Sequence, residues 1–178
     1  MRWYVIFVET GYEEQVCKYI NKAITDVFED VNFNLLVPKR KIYERKQGIR
    51  REVVKMMFPG YVLVETDNIL DFYLRLKGSP RVIKVLRNKE VFSEITNDEI
   101  KQILFLVNEN GLIDISEAFI VNDKVQIING PLYGNEGIIK RIDKRKGRAK
   151  VELSINYNSL LIDLGINLLQ KYEGLGST

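Results

Sequence analysis

Residues 2–8 (RWYVIFV) form an unbroken β-prone run, the pattern of a central strand covered on both faces. Thr10 and Glu13 then read as a T-x-x-E capping box that opens a helix over residues 12–28. Its apolar stripe is Val16, Ile20, Ala23 and Val27, with Cys17 and Tyr19 at the flanks. Residues 34–57 read as a long hairpin punctuated by Pro38 and Gly48, and residues 61–65 as a strand. A short helix over 68–77 ends at Gly78, and residues 81–87 give another strand. Thr96 and Glu99 form a second capping box, leading a helix through Ile100, Ile103, Leu104 and Val107. The order β-α-β-β-α-β-α implies a mixed sheet with helices against it, an α+β domain.

From Ile120 onward the period is two, strands are short and turn residues recur, which predicts a small barrel of about five strands. The stretch 124–151 carries most of the information. Val125 and Ile127 alternate with Lys124 and Gln126, three glycines follow at 130, 134 and 137, and alternation then resumes. That is a strand, a glycine-shaped turn, a second strand and a charged loop. The expected organisation is a first domain over 1–107, a connector over 108–117 and a second domain over 118–178.

Charge changes the picture once it is divided. The 178 residues carry a net charge of +3, but residues 1–117 balance at 18 basic and 18 acidic. Residues 118–178 hold nine basic and six acidic side chains, which is the whole excess. Between positions 140 and 150 stand Lys140, Arg141, Lys144, Arg145, Lys146, Arg148 and Lys150 against the single acid Asp143. A second run, 39–55, holds eight basic and two acidic residues spread over both arms of the predicted hairpin. Local potential steers a polyanion more than net charge does.

Catalytic readings are thin. The chain has no histidine, the commonest general base and metal ligand, and its one cysteine, Cys17, sits in an apolar helical pattern as a structural thiol would. No carboxylate pair stands in an acid/base context. The glycines lack the lysine-serine or lysine-threonine of a phosphate-binding loop and read as barrel geometry. No enzymatic activity, cofactor or metal is expected. No apolar run reaches the roughly 20 residues of a membrane span, and the N-terminal segment turns acidic too soon for a signal peptide. A cytoplasmic protein without membrane contact, and a monomer, is the expectation. The 144–148 loop mixes point charges with planar guanidinium forks, the chemistry of a nucleic-acid contact.

FPGYVLVE (58–65) gives these elements a context, because that block resembles the signature of the NusG family of transcription elongation factors. Trp3-Tyr4-Val5, TGYEE (10–14) and PRVIKVLR (80–87) fall where the family has similar residues, and 123–143 is similar to its KOW motif. The resemblance covers nearly the whole chain. It implies an NGN domain, an antiparallel-type sheet with flanking helices, followed by a small SH3-like KOW β-barrel. The NGN domain would dock on the clamp helices of RNA polymerase, and Phe7, Phe58, Tyr61 and Leu63 match its hydrophobic docking pocket. General members usually carry an FGR-like turn late in the barrel; Asn156-Tyr157-Asn158 stands here instead. With the basic loop, that departure is similar to a specialised paralogue of the LoaP type, a processive antiterminator. Its KOW domain would grip an RNA hairpin in the nascent transcript through Lys140, Arg141, Lys144, Arg145, Lys146 and Arg148. Upstream DNA is a further candidate partner. The alternatives are a general elongation factor whose barrel binds Rho or ribosomal protein S10, and a ribosome-associated KOW protein.

Overall fold

Strand β1 (Arg2–Val8) is the central strand that the apolar run predicts. The computed structural model describes residues 1–25, 32–122 and 124–169. Helix α1 (Glu13–Thr25) leads from β1 to β2 (Phe33–Leu36), which lies antiparallel to β5 (Tyr61–Thr66), itself antiparallel to β1. Helix α2 (Ile69–Leu76) leads from β5 to β6 (Val82–Val85), which pairs antiparallel with the other edge of β1. The sheet order is therefore β2-β5-β1-β6. Each crossover helix joins two strands of the same direction, but an opposed strand is inserted between them. Every pairing in this sheet is thus antiparallel, where element order alone implied a mixed sheet.

Alternation on the strands meets helical spacing on α1 and α2. Tyr4, Ile6 and Val8 of β1, Val62 and Val64 of β5 and Val85 of β6 bury against Val16, Ile20, Phe72 and Leu76. Each such apolar side chain contributes about 1.5–3 kcal/mol by leaving water. Val27, expected on the same stripe, lies outside the described residues. Asn68 caps α2 by accepting the Asp71 N–H at 3.1 Å, and Gly78 beyond its end has φ +80.

Short strands escaped the sequence pattern where two residues carry no period. Strands β7 (Arg87–Asn88) and β8 (Val91–Phe92) form a small hairpin, and β9 (Glu94–Ile95) pairs with β1 at Trp3 and Tyr4. Helix α3 (Asn97–Leu106) opens on the expected capping box. Thr96 N–H donates to Glu99 Oε2 at 2.9 Å, and Glu99 N–H donates to Thr96 Oγ1 at 3.3 Å. The Thr10–Glu13 pair behaves differently. Glu13 accepts the N–H of Gly11 at 2.9 Å and of Gly60 at 2.7 Å, so its carboxylate reaches across to the turn before β5.

The chain clusters into two compact units, the first drawing on Met1–Pro38, Met56–Gln102 and Ser154–Asn158. The second holds Lys39–Lys55, Ile103–Leu153 and the residues from Ser159 on. In it, β3 (Lys39–Lys46) and β4 (Ile49–Met56) form a hairpin turning at Gln47 and Gly48, both at positive φ. The strand expected from residue 34 is instead split by Pro38, with β2 going to the first sheet.

The connector region is ordered. Asn108 Oδ1 accepts the N–H groups of Asn110 and Leu112, and β10 (Leu112–Ile113) runs parallel to Lys39 and Arg40 of β3. The barrel strands are β11 (Ser116–Val121), β12 (Lys124–Asn129), β13 (Ile139–Asp143), β14 (Arg148–Ile155) and β15 (Asn158–Leu169). Their order is β12-β11-β15-β14-β13, the five strands expected. Gly130 has φ +90, and a Cβ there would lie 2.7 Å from Ser116 Cα. Gly137 needs no such freedom, since its φ is not positive and the space beside it is open.

Candidate functional site

The basic loop is the turn between β13 and β14, and its acid is structural. Asp143 Oδ1 accepts the Lys146 N–H at 2.9 Å, closing the turn. That hydrogen bond, helped by the charges of Lys146, Arg145 and Arg141, holds the Asp143 carboxyl below the usual range. Lys144, Arg145 and Lys146 are exposed around it. Gly147 then buries with φ +63, and the Ile166 N–H donates to its carbonyl at 2.9 Å.

The two basic segments of the sequence meet at this glycine. A Cβ on Gly147 would lie 2.7 Å from an Arg50 guanidinium nitrogen and 3.3 Å from the Tyr43 ring. The Arg50 guanidinium is stacked 3.5 Å from the Tyr43 ring centroid, and Arg148 donates to the Tyr43 carbonyl at 2.9 Å. Arg148 also pairs with Asp163 at 3.5 Å, and Arg40 donates to the Asp163 carbonyl at 2.9 Å. Further along, Lys41 pairs with Asp114 at 2.6 Å. The hairpin is thereby tied to the barrel at several points. Tyr43, Glu44, Arg45, Arg50, Arg145, Lys146 and Arg148 line one open cleft of about 490 Å³. Five cations face one carboxylate there, and that carboxylate, Glu44, pairs with Lys55 at 3.3 Å.

The six loop residues singled out from sequence therefore occupy different situations. Arg145 and Lys146 line the cleft and are exposed, whereas Arg148 lines it with its guanidinium already engaged. Arg141 is exposed beside the smaller recess of Asp143, Lys146, Lys150 and Asp163. Lys140 is committed to Glu152, whose carboxyl is held low first by that hydrogen bond and then by one from Ser159. Lys144 is exposed on the turn. Arg45 and Arg50 lay in the second basic run; only the pairing of β3 with β10 and the seat at Gly147 bring them here.

The aromatic candidates lie on the first sheet, on the face away from α1 and α2. Val5 pairs with Leu63 and Phe7 with Tyr61, so all four point the same way. Leu63 is fully buried and Phe58 nearly so, which places them beneath the surface. Phe7 and Tyr61 are half-buried with ring centroids 4.7 Å apart, and Lys84 Nζ lies 5.2 Å from the Phe7 centroid. Gly60, between Phe58 and Tyr61, has φ +83 and is anchored by Glu13. Glu13 shows how the TGYEE and FPGY blocks depend on each other, which spacing in the sequence does not reveal.

Among the described residues no helix is long and apolar enough to cross a membrane, and no group of three or more His, Cys, Asp or Glu could hold a metal ion.

A sheet with two interlocked crossovers, followed by a five-stranded barrel with a glycine-shaped turn, is the arrangement that the family comparisons identify. Residues 1–104 match the family described as transcription termination factor NusG, and residues 121–152 match the KOW motif. A transcription termination/antitermination protein NusG of Rickettsia prowazekii is 30% identical, the match covering 97% of this chain and 91% of that protein. Its counterpart in Pseudomonas aeruginosa is 27% identical over 96% of this chain and 98% of its own. A structure on domain interaction in Thermotoga maritima NusG shares the fold, with a TM-score of 0.54 at 24% identity, covering 92% of this chain and 93% of that one. The chain belongs to the NusG family of transcription termination/antitermination factors.

Proposed function

We propose that this chain is a specialised processive antiterminator of the LoaP type. It docks on the clamp helices of RNA polymerase through the aromatic face of its NGN domain and binds structured nascent RNA through its KOW domain. Phe7 and Tyr61, each half-buried, offer ring area for a helix of the partner, with Leu63 and Phe58 as the packed floor beneath them. The observation that carries the RNA reading is the cleft of five cations against one ion-paired carboxylate beside the exposed 144–146 turn. Neutralising several phosphates there gives an affinity that falls steeply with salt. Upstream DNA remains a further candidate ligand for the same charges.

The test is titration of a labelled RNA hairpin with the full chain and with a Lys144→Gln, Arg145→Gln, Lys146→Gln variant, at two salt concentrations. The variant should bind more weakly with a flatter salt dependence, while polymerase binding is retained. Unchanged RNA affinity would remove the assignment. Capture of Rho or a ribosomal protein by the barrel would favour the general elongation factor instead.

A further inference from the structure

The β3–β4 hairpin belongs to the span matched by the NusG family, yet within the second unit it packs beside the KOW turn. Its Arg45 and Arg50 share the cleft with Arg145 and Lys146, residues about a hundred positions later. Two ties fix this meeting: the Arg148 side chain donates to the Tyr43 carbonyl, and Leu112 and Ile113 pair with Lys39 and Arg40, while the Ile166 N–H holds the turn itself through the Gly147 carbonyl. Such ties hold the two segments that carry the four basic groups side by side before any ligand arrives, which lowers the ordering cost of binding.

We infer that the RNA site is composite: Arg45 and Arg50 of the hairpin and Arg145 and Lys146 of the turn grip the phosphate backbone of one RNA duplex stem from two sides. The inference rests on the RNA reading above and adds the hairpin as half of the site. Two observations select a duplex over a single strand. Single strands are bound mainly by stacking bases on exposed aromatic faces. The one aromatic ring of the cleft, Tyr43, carries the Arg50 guanidinium on its face at 3.5 Å. What the cleft offers instead is guanidinium and ammonium donors, which suit phosphates, and a stacked guanidinium keeps its in-plane N–H edges directed outward. Arg148 is a positioning residue here, since its two terminal nitrogens are engaged, one by the Tyr43 carbonyl and one by the Asp163 carboxylate.

The experiment uses the full chain and a fluorescent RNA hairpin of mixed sequence, with the matching DNA hairpin and an unpaired RNA strand as parallel arms. Three variants are compared: Arg45→Gln with Arg50→Gln, Arg145→Gln with Lys146→Gln, and a control, Lys46→Gln with Arg51→Gln. The control removes equal charge from exposed hairpin positions outside the cleft. The first two variants should each lose roughly tenfold in affinity for the RNA stem and reduce the salt slope by about 2, one per lost phosphate contact. The control should lose far less. A hairpin variant no weaker than the control, with the turn variant still impaired, overturns the composite site and leaves the RNA reading standing. Equal retention of affinity by both variants overturns the RNA reading as well. Tighter binding of the unpaired strand or of the DNA hairpin overturns the choice of an RNA duplex. Unchanged circular dichroism and urea midpoints in all three variants assign the losses to the cleft.

Discussion

Glu13 is a side chain on which the turn beside the proposed docking face depends. It is fully buried at the start of α1 and accepts two backbone donors, Gly11 at 2.9 Å and Gly60 at 2.7 Å. Hydrogen bonds to a charged group contribute roughly 1.5–3 kcal/mol each, and a buried N–H left without an acceptor costs about 1–3 kcal/mol. Glu13→Gln keeps one oxygen for one of these donors and turns an NH₂ group towards the other. One charge-assisted bond is lost and the second weakens to a neutral one, so a loss of about 2–4 kcal/mol is expected. Glu13→Ala removes both acceptors and should cost more, about 3–5 kcal/mol. The assay is urea unfolding, where the midpoint should fall while the slope m stays constant. Because Gly60 lies between Phe58 and Tyr61, the same variants should also weaken polymerase binding under conditions where they remain folded. A Glu13→Gln midpoint within error of the parent would refute the reasoning, since Glu13 Oε1 is the acceptor that the buried Gly60 N–H finds.

Gly147→Ala forces a left-handed conformation on alanine and sets a methyl 2.7 Å from the Ile166 carbonyl oxygen. The expected destabilisation is about 2–4 kcal/mol by urea unfolding, with RNA affinity falling as the turn shifts; a neutral effect would contradict the seat described. Glu99 is pushed up by burial but pulled down further by hydrogen bonds from the Tyr157 and Thr96 N–H groups and the Thr96 hydroxyl, leaving its carboxyl below the ordinary value. A depressed folded value means stabilisation present above the unfolded glutamate pKa of about 4.3 and lost as pH falls through the lower folded value. Glu99→Gln should therefore flatten the acid limb of a pH–stability curve in that window, and an unchanged limb would count against the contact. Burial first, then the charges of Glu14 and Glu13, push the Cys17 thiol up to about 12. Cys17 should resist a thiol reagent at mildly alkaline pH in the folded protein and react once urea is added; rapid native labelling would refute this.

How far the sequence carried depends on whether the signal was local. The apolar run of β1, the Gly78 stop after α2, the Thr96–Glu99 box and the five period-two barrel strands are all settled by neighbouring residues, and all were legible. The Thr10–Glu13 pair has the spacing of a capping box, but Glu13 turns to Gly60 because that buried N–H lies within reach only after folding. Leu63 and Phe58 were read as pocket residues from a motif, and only burial separates the floor from the rings above it. The basic turn was visible as composition, while the part played by Arg45 and Arg50 was hidden. Nothing local ties Tyr43 to Arg148; that contact spans 105 positions.

This long-range closure has a consequence for the order of folding. The second unit needs residues 39–55, the 144–148 turn and residues beyond 159, while the first unit draws its last segment, Ser154–Asn158, from the barrel's final hairpin. Neither unit can be completed on the ribosome until nearly the whole chain has emerged. Until β10 at Leu112–Ile113 has emerged, the β3 edge that it later covers stays open, and contacts of such large sequence separation close slowly. Early exposure of a charged edge is tolerable where an apolar one would aggregate. The lysines and arginines of β3 thus serve the nascent chain before they serve the folded protein.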